Sequence, residues 1–154
     1  MISINEYNFI EKNVPIVTTD MLIFKNDKIL LCKRNNEPLK HVYYTPGGRV
    51  FKNENAGDAI KRKIKEELNI KIKEVKKPYG FLEEFFNYSG KERHNINILF
   101  YCELPDDAEI NLLMNEEHSD IKWFNIKDKN IHSYIQMKIQ KYLNNKDIKY
   151  NCVI

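Results

Sequence analysis

The stretch GGRVFKNENAGDAIKRKIKEELNI, Gly47–Ile70, opens on a glycine pair and closes on two adjacent glutamates followed by Leu-Asn-Ile. Between them the sequence predicts a helix over Ala56–Leu68. Asn55 is well placed to cap the helix N-terminus, because its side chain can accept from a free backbone amide. Asn69 is well placed to end the helix, because asparagine tolerates the left-handed backbone conformation.

A helical wheel places acidic side chains on the apolar face of this helix. At about 100° per residue, one face carries Ala56, Ala59, Ile60 and Ile64. Glu67 falls near the centre of that face, Glu66 lies at its edge, and Lys63 lies between the two. A carboxylate directed at packed apolar surface is costly unless something pairs with it.

Two kinds of partner can satisfy these carboxylates. Ion pairs one helical turn apart, Lys63 with Glu67 and Arg62 with Glu66, are common, and spacing alone favours them. The alternative is a hard divalent cation, which takes oxygen ligands and often keeps waters and substrate phosphates in its shell.

The glycine pair strengthens the second interpretation. Gly47 and Gly48 follow a predicted strand and let the backbone approach a ligand closely. Their carbonyls can bind a metal, and their amides can bind phosphate oxygens. Arg49 follows at once, and Glu54 either braces this loop or adds another carboxylate.

Around this helix the sequence predicts a mixed α/β sheet with helices on its faces, in a single domain over residues 1–154. Ser3 and Glu6 are spaced as a capping box for a helix over Ser3–Asn13. A second amphipathic helix is predicted over Ile131–Asn144 and an acidic loop over Asp106–Ser119. The predicted strands are Ile16–Phe24, Lys28–Lys33, Val42–Thr45, Ile70–Val75, Gly80–Tyr88, Asn95–Leu104 and Asp120–Phe124.

Composition excludes several classes of function. The net charge of +3 without a basic stripe argues against nucleic-acid binding. No apolar run approaches the ~18 residues of a membrane span, and the N-terminus lacks a signal-peptide layout. The three separated cysteines, Cys32, Cys102 and Cys152, indicate neither a disulfide framework nor a zinc site. We therefore expect a reduced, cytoplasmic protein in which Cys32 and Cys102 act as small apolar side chains.

The opening stretch resembles the Nudix box, G-x5-E-x7-R-E-U-x-E-E-x-G-U, where U is aliphatic. The matching residues, in register, are Gly48, Glu54, Arg62, Ile64, Glu66, Glu67 and Ile70. Lys63 replaces a box glutamate that binds metal or acts as base in many members, and Asn69 replaces the closing glycine. The resemblance implies a Nudix-like α/β/α sandwich.

The flanking segments PIVTTDMLIF, ILLCKRNNEP, YYTPGGRV and EEHSDIKWF resemble the GDP-mannose mannosyl hydrolase branch of that family. The branch implies hydrolysis of GDP-mannose to GDP and mannose, with water attacking the anomeric carbon. Mg²⁺ on the diphosphate would act as a Lewis acid, with Mn²⁺ as an alternative ion, and a histidine would be the general base. The branch also implies a homodimer.

Carried over by position, the resemblance implies a role for each of several residues. The metal ligands would be the Gly47 carbonyl, Glu66, Glu67 and Glu117. The catalytic residues would be His118 as base, Asp20 stabilising positive charge on the sugar, and Arg34. The diphosphate of the substrate would contact Arg34 and Arg49, and Asn95 would contact the leaving group. The base would stack on Tyr7 across a dimer interface.

Several alternatives remain open at this point. His118 in an acidic loop can be merely solvated, and Asp20 can be an edge residue facing water. The protein can instead be a conventional nucleotide-sugar pyrophosphatase that releases a nucleoside monophosphate and a sugar phosphate. It can also be a non-catalytic module that binds a sugar nucleotide, in which Lys63 has ended catalysis.

Overall fold

The computed structural model describes residues 2–75, 77–104 and 118–145. Across these residues the helices are α1 (Ile4–Asn13), α2 (Ala56–Leu68) and α3 (Ser133–Asn144). The strands are β1 (Ile16–Lys25), β2 (Lys28–Arg34), β3 (Tyr43–Tyr44), β4 (Gly47–Arg49), β5 (Gly80–Tyr88), β6 (Lys91–Glu103) and β7 (His118–Asn125).

These strands form one mixed sheet in the order β3-β2-β1-β6-β5, with β4 paired to β1 and β7 paired to β2. Strand β1 runs parallel to β6 over its whole length and antiparallel to β2 and β4. The central position of β1 matters for the site, because its side chains meet residues of β4 and β6 on either side. The predicted mixed α/β sheet is confirmed.

Each face of the sheet packs against helices, since strand side chains alternate between the two faces. On one face, Met21 and Phe100 pack with Ile60 and Ile64 of α2. On the other, Leu22 and Leu99 pack with Ile135 and Ile139 of α3. Helix α1 contacts β6 and is joined to it by an ion pair between Glu11 and Arg93.

The helix ends follow the local signals in the sequence. Ser3 and Glu6 form the predicted capping box at the start of α1. Asn55 accepts a hydrogen bond from the amide of Asp58 at 2.9 Å. Asn69 ends α2 in the left-handed conformation, at φ 56° and ψ 20°. Both predicted ends of α2 are confirmed.

One predicted strand, Ile70–Val75, and the end of one predicted loop, Asp106–Ser119, are wrong. Ile70–Val75 contains only an isolated bridge at Glu74 rather than a strand. Ile70 and Ile72 instead pack into the core beneath α2, so their β-branched side chains are explained by burial. In the predicted loop over Asp106–Ser119, His118 and Ser119 belong to β7, and residues 105–117 lie outside the described part of the chain.

The cysteines differ in state. Cys32 is a buried free thiol, as predicted. Cys102 is disulfide-bonded, so the predictions that it is reduced and that it acts only as a small apolar side chain are wrong. Within the described ranges, none of the helices is both long and apolar enough to cross a membrane.

Candidate active site

A cavity of about 530 Å³ lies on the face of the sheet shared by α1 and α3. Its walls come from elements that are far apart in sequence: α1, β1, the segment after β2, the β4 turn, α2, β5 and β6. The lining includes Tyr7, Thr18, Asp20, Arg34, Tyr44, Gly47, Gly48, Arg49, Arg62, Lys63, Glu66, Glu84, Arg93, Asn95 and Asn97.

Five cationic side chains line this cavity. We call these residues, Arg34, Arg49, Arg62, Lys63 and Arg93, the cationic rim. Arg34 is half-buried, and its Nε donates to the Pro38 carbonyl at 2.9 Å. Planar guanidinium groups bind phosphate oxygens through two parallel hydrogen bonds. The rim therefore matches an anionic, phosphate-bearing group.

Tyr7 lies against two rim arginines of the same chain. The guanidinium carbon of Arg49 is 4.2 Å from the centre of the Tyr7 ring. Arg93 donates to the Tyr7 hydroxyl at 2.6 Å. The aromatic ring therefore reaches the cavity wall without a second subunit.

Glu67 of α2 is 1% exposed and is contacted from three elements. Lys63 Nζ lies 2.8 Å from its Oε1, and His118 Nε2 lies 2.9 Å from its Oε2. The amide of Gly47 donates to the same Oε2 at 3.2 Å. Lys63 Nζ is also 3.4 Å from Glu66 Oε2, so one ammonium group bridges both glutamates.

His118 begins β7 and is 6% exposed, so the alternative of a solvated loop histidine is wrong. An ionised carboxylate only accepts hydrogen bonds, so the contact with Glu67 places the imidazole proton on Nε2. Nδ1 is then the basic nitrogen. It is buried and has no hydrogen-bond partner among the described residues.

Close packing against backbone requires glycine at Gly47, whereas a side chain at Gly48 would have to displace the end of the Lys63 side chain. A Cβ at Gly47 would lie 2.2 Å from the Thr19 carbonyl oxygen, and one at Gly48 would lie 2.7 Å from Lys63 Cε. Nearby, Arg62 braces the loop: its Nε donates to Glu54 at 2.8 Å and its Nη2 donates to the Arg49 carbonyl at 3.0 Å. Glu54 thus holds the loop in place through Arg62.

Beneath the rim lies a buried charge cluster formed by Asp20, Glu84 and Lys138, whose exposed fractions are 6%, 1% and 0%. Lys138 Nζ is 2.6 Å from Asp20 Oδ2 and 2.7 Å from Glu84 Oε1. Thr45 Oγ1 donates to Asp20 at 2.7 Å, and the Tyr44 hydroxyl donates to Glu84 at 2.5 Å. Asp20 is therefore a buried cavity residue, and the alternative of an edge residue facing water is wrong.

Lys138 keeps its charge because its partners outweigh burial. Burial by itself would lower the pKa of Lys138, but the Asp20 and Glu84 carboxylates raise it, and the net shift is upward. Burial, with the charges of Glu84 and Asp20, raises the pKa of Tyr44 well above its usual value. At neutral pH the lysine is an ammonium ion and the tyrosine a neutral donor.

Comparison with known proteins places this geometry in a family. The NUDIX domain model matches residues 14–140. The chain belongs to the Nudix family. The low-salt glycan biosynthesis protein Agl8 of Haloferax volcanii is 35% identical over 136 residues, which is 86% of this chain and 85% of that protein.

Further comparisons agree on the Nudix fold. The ADP-ribose pyrophosphatase of Methanocaldococcus jannaschii is 38% identical over 94 residues, 58% of this chain and 52% of that protein. The crystal structure of a MutT NUDIX hydrolase from Burkholderia pseudomallei superposes with a TM-score of 0.70 at 21% identity, covering 84% of this chain and 98% of that one. The predicted Nudix-like fold is confirmed.

The residues to which the family resemblance assigned a role fall into three groups in the structure. The cavity wall contains Tyr7, Asp20, Arg34, Gly47, Arg49, Glu66 and Asn95. Glu67 and His118 contact one another but are not among the cavity-lining residues. Glu117 lies outside the described residues.

Sequence analysis missed Glu84 and Lys138, although both carried a detectable signal. Glu84 alternates with Leu82 and Phe86 on the inward face of β5. Lys138 lies three residues after Ile135 and one before Ile139, on the apolar face of α3. A charged residue on an apolar face is the signal that singled out Glu67, and it applied equally to these two.

Nudix hydrolases generally use divalent metals, and the candidate ligands on α2 are the carboxylates of Glu66 and Glu67. Among the described residues, no three His, Cys, Asp or Glu side chains are grouped to hold an ion. Mg²⁺ often takes only one or two protein carboxylates and fills its shell with water and substrate phosphates. Glu66 and Glu67 supply that number, and Lys63 bridges them. The two carboxylates therefore fit an ion shared with a bound substrate only if that ion displaces the Lys63 ammonium group from between them.

Proposed function

We propose that this Nudix hydrolase cleaves a nucleotide sugar, with GDP-mannose as the leading substrate and GDP and mannose as products. The observation that carries the proposal is the polarity of the cavity. The cationic rim of four arginines and one lysine suits a diphosphate. The cavity is also lined by uncharged polar side chains, Thr18, Asn95 and Asn97, which suit a hydroxyl-rich group. A nucleotide sugar presents both groups in one molecule.

The Haloferax volcanii relative supports the choice of substrate class. That protein is named for glycan biosynthesis, and it matches this chain over most of both lengths. Glycan assembly consumes activated sugars, which are commonly nucleotide sugars. The proposed substrate belongs to that class.

Hydrolysis at the anomeric carbon needs a general base, a group that stabilises positive charge on the sugar, and groups that bind the departing diphosphate. His118 would accept a proton from water at Nδ1, because its Nε2 donates to Glu67. Asp20 would stabilise positive charge on the sugar ring, and Arg34 with Arg49 would hold the departing diphosphate. Mg²⁺ bound through Glu66, Glu67, Glu117 and the Gly47 carbonyl would supply Lewis-acid assistance to the leaving group.

Product analysis in ¹⁸O-enriched water tests the proposal. We expect a panel of nucleotide sugars incubated with Mg²⁺ to yield nucleoside diphosphate and free sugar, with the label on the sugar and none on the nucleotide. Label on a phosphate group, together with nucleoside monophosphate as product, would contradict attack at carbon. Binding without turnover would favour a non-catalytic module.

The second candidate is a conventional nucleotide-sugar pyrophosphatase, in which water attacks phosphorus. It is favoured by the retention of both Glu66 and Glu67 on α2 and by the similarity to a protein named ADP-ribose pyrophosphatase. Lys63 stands against it, because an ammonium group held between two carboxylates cannot serve as a general base at neutral pH.

The cytoplasmic location and the homodimer remain predictions. Sedimentation of the purified chain tests the dimer directly. Since Tyr7 reaches the cavity wall within its own chain, we expect dilution to monomers to leave the nucleotide contact of Tyr7 intact.

A further inference from the structure

Three polar side chains line the cavity on adjacent strands of the same sheet face. Thr18 of β1 lies directly opposite Asn97 of β6, and Asn95 is two residues further along β6. Their exposed fractions are 9%, 7% and 1% for Thr18, Asn95 and Asn97. We call these three residues the acceptor floor.

Each residue of the acceptor floor has an oxygen atom without a partner. Thr18 Oγ1, Asn95 Oδ1 and Asn97 Oδ1 are buried and form no hydrogen bond among the described residues. Buried polar atoms are almost always hydrogen-bonded in folded proteins. Three such atoms on one cavity wall form a place where a bound ligand can supply hydrogen-bond partners.

The orientation of the Asn97 amide is fixed by the buried charge cluster. Its Nδ2 donates to Asp20 Oδ2 at 2.9 Å and to Glu84 Oε2 at 3.1 Å. A flipped amide would direct its oxygen at two carboxylates, which offer no proton. Lys138 holds both carboxylates in place, so Oδ1 of Asn97 remains directed away from them as an acceptor.

We propose that the acceptor floor binds the hydroxyl groups of the sugar half of a nucleotide sugar and thereby selects the sugar. This inference rests on the proposed function and names a subsite within it. The amide oxygens of Asn95 and Asn97 accept, and the Thr18 hydroxyl both accepts and donates, which suits ligand hydroxyl groups because they can do both. The neighbouring carboxylates of Asp20 and Glu84 disfavour a phosphate at this position, and the phosphates have the cationic rim instead.

A consequence for specificity follows. A site that binds a substrate hydroxyl rejects an analogue lacking it, because the buried protein atom is then left unpaired. The acceptor floor should therefore discriminate between sugars that differ by one hydroxyl and should be indifferent to the nucleotide base.

Two adjacent threonines provide a matched pair of variants. Thr18 and Thr19 both have a buried hydroxyl oxygen without a partner among the described residues. Thr18 lines the cavity, whereas Thr19 does not and points to the opposite face of the sheet. Valine has nearly the shape of threonine, so Thr18→Val and Thr19→Val each remove one hydroxyl and break no described hydrogen bond.

The experiment measures kcat/KM for GDP-mannose and the inhibition constant of GDP in the wild type and both variants. We expect Thr18→Val to lower kcat/KM about 3- to 10-fold, the range of one hydrogen bond, and to leave inhibition by GDP unchanged. Thr19→Val should change neither quantity. The wild type should prefer GDP-mannose over an analogue that lacks the hydroxyl bound by Thr18. In Thr18→Val this preference, measured as the ratio of the two kcat/KM values, should be smaller.

The outcomes separate the subsite from the function. If Thr18→Val weakens GDP inhibition as much as it lowers kcat/KM, or changes neither quantity, the acceptor floor does not bind the sugar, although the hydrolase assignment stands. If the wild type hydrolyses no nucleotide sugar and binds GDP-mannose no better than GDP, the proposed function fails and the subsite fails with it. Asn97→Ser is a poorer probe, because it also removes the amide that donates to Asp20 and Glu84.

Discussion

Glu67 is the residue at which the two interpretations of the helix meet. It forms the ion pair with Lys63 that spacing favoured, and it also lies beside the glycine turn and His118. The ion pair does not exclude a role in metal binding, because a carboxylate held by three donors is also rigidly positioned. The two roles are distinguished by activity rather than by geometry.

Replacing Glu67 with glutamine should therefore lower Mg²⁺-dependent turnover by about 10²-fold or more, while the protein still folds. Glutamine keeps the size of the side chain but removes the charge that an ion requires. Steady-state kinetics across a range of Mg²⁺ concentrations, with circular dichroism for folding, measure this. Turnover close to wild type would leave Glu67 a purely structural ion-pair partner.

Lys63 bridges Glu66 and Glu67, and its replacement by alanine should change turnover less than tenfold. Removing the ammonium group should also lower the Mg²⁺ concentration needed for half-maximal activity, because one competing cation is gone. Lys63→Glu, which restores the usual Nudix residue, serves as the comparison and should not produce a faster enzyme. A large gain in that variant would indicate the ordinary attack at phosphorus.

His118 is expected to be the general base, and His118→Gln should lower kcat by about 10²–10⁴-fold. Glutamine can keep a hydrogen bond to Glu67 but cannot take a proton from water. The affinity for GDP should be unchanged, which an equilibrium binding measurement checks. His132, which caps α3, is the matched control, and His132→Gln should retain turnover. Equal losses in both variants would contradict the assignment.

Helix α2 was predictable from sequence because its determinants are local. Its caps, Asn55 and Asn69, lie within one turn of the residues they satisfy. The wheel placed Glu67 near the centre of the apolar face, where it is buried, and Glu66 at the edge. The prediction for Ile70–Val75 failed for the opposite reason. A strand exists only when a neighbour pairs with it, and that neighbour cannot be read from β-branched residues alone.

Asn69 should show what the closing glycine of the Nudix box contributes. Its backbone is left-handed, a conformation that costs most residues roughly 1–2 kcal/mol but costs glycine almost nothing. Asn69→Ala should therefore reduce the free energy of unfolding by about 1 kcal/mol, and Asn69→Gly should leave it within about 0.5 kcal/mol. Denaturant titration of both variants gives the comparison. Equal stabilities would mean that the αL conformation is not strained here.

The buried charge cluster ties together parts of the chain that are far apart in sequence. Lys138 of α3 contacts Asp20 of β1 and Glu84 of β5. The individual members carried a sequence signal, since each is a charged residue on an apolar face. Which of them meet is decided by how α3 lies across the sheet, and no local pattern encodes that. The same reason explains why the contact between His118 and Glu67 was not predicted from the sequence.

Removing Lys138 should destabilise the whole molecule. Lys138→Met leaves two buried carboxylates without their cation, for which the expected loss is about 3–5 kcal/mol of unfolding free energy. Lys141→Met on the exposed side of α3 is the control and should cost little. Denaturant unfolding measures both; equal losses in the two variants would contradict an essential cluster.

The cationic rim and the buried charge cluster together make the distribution of charge in the cavity asymmetric. The rim contributes five cationic side chains, three of which are paired with glutamates, while Asp20, Glu84 and Lys138 contribute two negative charges and one positive, a net of −1. A ligand with charge at one end only can enter in a single orientation, phosphates outward and neutral group inward. Sugars that carry their own acid group would meet the negative charge cluster and be turned away. The molecule would thus sort its ligands by where their charge lies before any hydroxyl group is recognised.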